Sequence, residues 1–225
     1  MRLRCVIFDL DGVIIESSQL HTTSFQRAFE MHGYSFSREA ITKFVSKGLS
    51  REAVIRSLIT EEDNELLESI AKNKGIVLKQ LLRNSSQNKI EQLVHTHSGA
   101  RELLSYIHQN NIKIALASSS MMACDIVKRL GLFQYFSYIS FPSSEIKAKP
   151  DPDVYLEVLK RLELNRSECI AIEDSTTGIK SALSAGIETY VFNSDKKARN
   201  KIARHLLMFQ ELDEIKNQIE SLIIP

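Results

Sequence analysis

"VIFDLDGVIIE", residues 6–16, carries an apolar run straight into two aspartates, Asp9 and Asp11, with Gly12 next and Glu16 closing the stretch. The opening residues have the short, continuous pattern of a strand buried on both faces of a sheet. Gly12 permits the sharp turn that must follow. Two carboxylates one residue apart repel each other unless a cation or a proton sits between them. The stretch therefore reads as a buried strand that delivers an acidic pair to a turn.

Three further runs share its length and flanks: "IKIALAS" at 112–118, "CIAIED" at 169–174 and "IETYVF" at 187–192. Helical patterns separate them. Ala100, Leu103, Leu104 and Ile107 recur at helical spacing within 98–110, and "STTGIKSALSAG" ends on Gly186, a good helix stop. "DPDVYLEVLKRL" is expected to begin with Asp151 as N-cap and Pro152 in the first turn. Strands alternating with helices in this way predict an α/β fold, a doubly wound parallel sheet.

Residues 17–97 break the alternation. They offer helix signals only: Ser50 before "REAVIRSL", Thr60 with Asp63 as a capping-box pair, then a long run with Leu67, Ile70, Val77, Leu78 and Leu81 roughly on one face. The expected organisation is a core of 1–16 and 98–225 with an inserted α-helical domain at 17–97. His95 and His97 lie where the chain returns and read as loop residues.

Composition is ordinary for a soluble globular protein of 225 residues, at 43% hydrophobic and 25% charged. With 29 basic against 28 acidic residues, nothing points to nucleic acid or to an anionic membrane as partner. The three cysteines, Cys5, Cys124 and Cys169, form no C-x-x-C pair and are expected reduced and buried. Arg2 and Arg4 before apolar residues imitate a signal peptide, but Asp9 ends the run too early, and no stretch approaches the ~20 residues of a bilayer span. A cytoplasmic protein, monomeric and acting on a small molecule, is the expectation.

Ligands of an open parallel sheet bind beyond the carboxyl ends of its strands. Asp9 and Asp11, Ser118 to Ser120, and Glu173 with Asp174 should meet there, with Lys149 in the loop "KAKPDPD". Oxygen-rich acidic sites of this kind suit Mg²⁺ beside a phosphate. The hydroxyls and the lysine would then serve the phosphate.

"DLDGV" at 9–13, Ser118 in "ALASSS", Lys149 before Pro150 and "EDS" at 173–175 resemble the four ordered motifs of the haloacid dehalogenase superfamily. The insertion after the first motif resembles that superfamily's helical cap. The resemblance implies a Rossmann-like core. It makes Asp9 a nucleophile that forms an aspartyl-phosphate, and Asp11 a general acid and base. It implies Mg²⁺ held by Asp9, the Asp11 main-chain carbonyl, Asp174 and Glu173. It assigns the transferring phosphoryl group to Ser118, Ser119 and Lys149. Asp11 also argues against a true dehalogenase, whose relatives lack that second aspartate.

Within the cap, His21 in "ESSQLH" matches a histidine of β-phosphoglucomutase-like members, and "KGLSRE" at 47–52 resembles their substrate loop. That resemblance gives Arg51 a substrate anion, with Lys47 beside it, and leaves Lys74 a surface lysine. Ser120 could supply part of a second anion site, but Met121 and Met122 stand where β-phosphoglucomutases tend to carry polar residues. The expected activity is a Mg²⁺-dependent phosphatase for a small phosphorylated metabolite, a sugar or polyol phosphate. A phosphosugar mutase and a catalytically silent binder are the alternatives.

Overall fold

Cys5–Phe8 (β1) is buried along its whole length, which requires neighbours on both edges and cover on both faces. In the computed structural model, which describes residues 3–46, 49–192 and 206–223, both conditions are met. After β1 the chain turns through Asp9–Gly12, Gly12 at φ +90°, and enters the two-residue strand Ile15–Glu16 (β2). The chain divides into two compact units, one of Met1–Ile15 with Thr96–Pro225 and the other of Glu16–His95.

The Glu16–His95 unit is helical: Ser18–Glu30 (α1), Arg38–Val45 (α2), Arg51–Leu58 (α3), Asn64–Asn84 (α4) and Gln87–Leu93 (α5). Their apolar faces meet in a cluster that includes Phe25, Phe29, Ile41, Ile55, Leu67 and Ile70. Phe29 meets Phe36 edge-on, with centroids 4.9 Å apart. Ser37, Ser50, Asp63 and Ser86 each accept a hydrogen bond from the amide three residues on, so α2 to α5 all start on side-chain caps. The Thr60–Asp63 capping box does not form. Asp63 is itself the cap of α4, because its carboxylate reaches the Leu66 amide at 3.1 Å. The chain leaves this unit through His95–Thr96 (β3), which pairs with β2.

The other unit continues with Ala100–Gln109 (α6), Lys113–Ala117 (β4), Ala123–Arg129 (α7), Tyr138–Ser140 (β5) and Asp153–Leu162 (α8). Cys169–Glu173 (β6), Thr176–Ser184 (α9), Glu188–Phe192 (β7), Met208–Phe209 (β8) and Leu212–Ile223 (α10) follow. The strands form one parallel sheet in the order β5-β4-β1-β6-β7-β8. One face buries Ile7, Ala115 and Ala171 against Val154 and Val158 of α8 and Ala182 of α9. Burial of each large aliphatic is worth about 1.5–3 kcal/mol. This is the doubly wound Rossmann-like core expected, with two strands more than the apolar runs disclosed.

Two local expectations need correction. Helix α8 begins at Asp153 with Pro152, not Asp151, in the cap position. The Asp151 carbonyl instead accepts from the Ser181 hydroxyl at 2.5 Å, which fixes that residue to α9 ahead of the helix. Cys5 and Cys169 are buried, but Cys124, on α7, is only half-buried; all three are free thiols. Among the described residues no helix is long and apolar enough to cross a membrane.

Candidate active site

Strand β1 lies between β4 and β6, with Phe8 level with Leu116 on one side and Ile172 on the other. The residues that leave these strands, Asp9, Ser118, Glu173 and Asp174, therefore emerge at one edge of the sheet. There the strand order switches direction, the position at which open parallel sheets bind ligands. The Asp9 amide donates to the Ile172 carbonyl, and the Ser118 amide to the Ser140 carbonyl, each at 3.0 Å. Backbone hydrogen bonding thus holds both entry points.

Asp9, Glu173 and Asp174 each present a carboxylate oxygen, and these atoms lie within 4.8 Å of one another. The Asp11 side chain stays outside that trio. Lys149 enters between the acids, its Nζ 2.5 Å from Asp9 Oδ1 and 2.5 Å from Glu173 Oε1, and the ion pairs are almost wholly enclosed. The Tyr155 hydroxyl donates to the same Glu173 oxygen at 2.5 Å. Its ring centroid lies 5.3 Å from the Lys149 ammonium. The other Glu173 oxygen, Oε2, has no hydrogen-bond partner among the described residues although it is buried.

Two glycines make the approach possible. A Cβ on Gly12 would overlap the Asp174 carboxylate, and one on Gly178 would overlap that of Glu173. At Gly12 the positive φ disfavours any L side chain as well.

Two buried acids, Asp9 and Glu173, and the half-buried Asp174 gather around one lysine, and the electrostatics follow. Burial pushes the Asp9 carboxyl up to about 7, with Glu173 and Asp11 adding to the rise and Lys149 opposing it. Asp174 is driven well above the usual carboxylate range by burial, then by Asp9 and Glu173. Burial alone would lower Lys149, but the Asp9 and Glu173 charges outweigh it and hold the ammonium above its ordinary value. The donor set is all oxygen, carries excess negative charge and includes an orphaned carboxylate atom. That combination fits a hard divalent cation.

The serine loop carries hydroxyls. Ser118 Oγ, fully buried, accepts from the Ser120 amide at 3.0 Å, and Ser120 Oγ accepts from the Met122 amide at 3.2 Å. Each hydroxyl keeps its own proton to donate. Ser119 is exposed, and Met121 after it is 68% exposed, while Met122 is half-buried.

In the Glu16–His95 unit, Arg51 is the first residue of α3, exposed, and ion-paired with Glu52 at 3.1 Å. His21 lies on α1, where its Nδ1 meets the Lys74 ammonium at 2.9 Å. Lys74 is buried and sits over the Phe25 ring at 5.1 Å, so it is not the surface lysine expected. Its place among Leu67, Ile70, Val77 and Leu78 on the apolar face of α4 was the available signal. Lys47 lies outside the described residues. His97 turns its ring edge toward Phe192, with centroids 5.7 Å apart.

Residues 6–192 match the family model of the haloacid dehalogenase-like hydrolases. The chain belongs to this family. It is an enzyme by that membership. Its similarity extends to a β-phosphoglucomutase of Bacillus subtilis, 33% identical over 82% of this chain and 81% of the relative. A phosphorylated carbohydrates phosphatase of Thermotoga maritima is 29% identical, covering 83% of each chain. The crystal structure of a β-phosphoglucomutase from Clostridium difficile shares the fold with a TM-score of 0.76, at 24% identity and over 98% of this chain and 97% of that one.

Proposed function

We propose that this enzyme is a Mg²⁺-dependent phosphatase of small phosphorylated metabolites, sugar or polyol phosphates, working through an aspartyl-phosphate on Asp9. The observation that carries the reading is the convergence of Asp9, Asp174, Glu173 and Lys149 at the end of the sheet where Ser118 leaves the neighbouring strand β4. In this reading an Asp9 oxygen attacks phosphorus and the phosphorus–oxygen bond to the leaving group breaks. Asp11 gives its proton to the departing oxygen. Water then attacks the phosphoryl group, Asp11 takes the proton back, and inorganic phosphate leaves with Asp9 restored. Lys149 and the Ser118 and Ser119 loop place positive charge and donors where the phosphoryl oxygens gain charge. Asp9, Asp174, Glu173 and the Asp11 carbonyl would hold Mg²⁺, which when bound supplies charge neutralisation for acids and phosphate alike.

The Glu16–His95 unit is read as the cap that recognises the leaving group, with Arg51 the anion contact and His21, Lys47 and Ser120 in support. The Bacillus relative favours a second reading, a phosphosugar mutase. Met121 weighs against it. A mutase needs donors for a second phosphate, whereas this exposed thioether beside the serine loop supplies neither charge nor donor. A coupled glucose-6-phosphate dehydrogenase assay on β-glucose 1-phosphate, primed with bisphosphate, tests the choice against phosphate release from a panel of sugar phosphates. Phosphate release should dominate. Mutase turnover well above it would overturn the phosphatase reading.

A further inference from the structure

The Glu16–His95 unit contains an open cavity of about 550 Å³, all of whose lining residues belong to that unit and none to the acidic cluster. Helices α1 and α5 supply most of its wall, and Leu81 and Leu93 give it an apolar patch. Three cations line it, Arg27, Arg38 and Lys89, against the single acid Glu30. That leaves two positive charges in excess. Among the described residues no ion pair engages any of the three.

Arg38 is the most informative. Its guanidinium is oriented by three neutral oxygens, Gln19 Oε1 at 2.6 Å, Thr23 Oγ1 at 3.3 Å and Gln26 Oε1 at 3.4 Å. These contacts fix the group without neutralising it. A guanidinium has five N–H donors, so two remain for an incoming anion. Arg38 is thus held in place, charged and only partly used. An excess of two charges matches a dianion, and a fixed planar fork suits phosphate oxygens. The volume far exceeds a bare phosphate and falls within the usual range for small-molecule pockets. Thr23, Gln26 and Gln92 offer neutral groups for hydroxyls on the rest of such a molecule.

We propose that this cavity is a second, non-catalytic binding site for a small hydroxylated phosphate monoester. No trio of metal-binding side chains lies among its lining residues, so the bound ester is held and not hydrolysed. The site is independent of the chemistry assigned to Asp9.

The test uses the full chain labelled with ¹⁵N-arginine and titrated at pH 8, without divalent cation, with the non-hydrolysable phosphonate isostere of glucose 6-phosphate. The Nε–Hε signals of Arg38 and Arg27 should shift and saturate. Lys89→Gln and Arg38→Gln, each at an exposed position, should weaken the response about tenfold, the loss expected for one charge-assisted contact. Turnover of p-nitrophenyl phosphate by both variants should stay near wild type. Arginine signals unmoved at roughly 10 mM phosphonate, enough to fill most of a site with a Kd of ~1 mM, would overturn the proposal. So would undiminished binding by both variants. An equal response to inorganic phosphate alone would overturn the assignment to an organic ester.

Discussion

Lys149 touches Asp9 and Glu173 at the same time, so either acid can lose its charge without stranding the ammonium. Asp9→Asn should therefore fold, and at pH 5, where Asp9 keeps its proton, melt much as wild type, because Lys149 keeps Glu173; it should yet be inactive, because an amide is no nucleophile. Residual turnover above roughly a hundredth of wild type, a barrier change of only ~2.7 kcal/mol, would remove Asp9 from that role. Tyr155→Phe probes the other side of Glu173. It deletes a buried hydroxyl that donates to the carboxylate, and urea unfolding should show a loss of about 1–3 kcal/mol. A stability equal to wild type would mean the hydroxyl is not held as described. Asp9, Lys149, Glu173 and Asp174 were legible in the sequence because each follows a strand or precedes a helix with an unmistakable polar residue. Tyr155 was not. It stands between Val154 and Val158 on a helix whose face reads simply as core, and only the fold turns its hydroxyl toward the acids.

Elements were legible in proportion to their burial. Strands β1, β4, β6 and β7 occupy the middle of the sheet and announce themselves as unbroken apolar runs. Strand β5 has three residues, two of them only half-buried, and β8 has two, so neither carries a periodic signal. The caps show the same dependence on context. Ser50 starts α3 as read, whereas Thr60 and Asp63 look equally fit to start α4 until the Leu66 amide selects Asp63. Gly178, on α9, illustrates an element shaped by the site it carries. Alanine is ordinarily better than glycine in a helix by about 1 kcal/mol. Here a Cβ would meet the Glu173 carboxylate on buried β6, and Lys149 and Tyr155 hold that carboxylate in place through Oε1. Gly178→Ala should therefore lower the melting temperature, against propensity, and depress turnover as well. A raised melting temperature with full activity would show that Glu173 moves aside freely.

Across the whole molecule the formal charge is close to neutral, at +1, so stability as a function of pH should be set by the few groups whose surroundings differ most from water. Asp9 has an ordinary value of 3.8 and rises to about 7 on folding, mainly through burial. Asp174 moves the same way. Between about pH 4 and pH 7 the unfolded chain has released the Asp9 proton while the folded chain retains it. The folded state then binds more protons, and stability must fall as pH rises through that window, levelling off once both states are ionised. Acids outside the cluster, such as Glu39, Glu157 and Glu168, are lowered on folding and act in the opposite sense, but only at and below the ordinary carboxylate range. Metal-free protein should accordingly be more stable to urea at pH 5 than at pH 7. Asp9→Asn, which cannot titrate, should flatten much of that slope. Added Mg²⁺ should raise stability most at pH 7, since a cation favours the ionised acids that pH 7 produces. Stability that is level or rising from pH 5 to pH 7 in the metal-free protein, or an unchanged slope in Asp9→Asn, would contradict this account. It would mean that the acids are already ionised in the folded chain and that the enclosed lysine alone suffices to hold them.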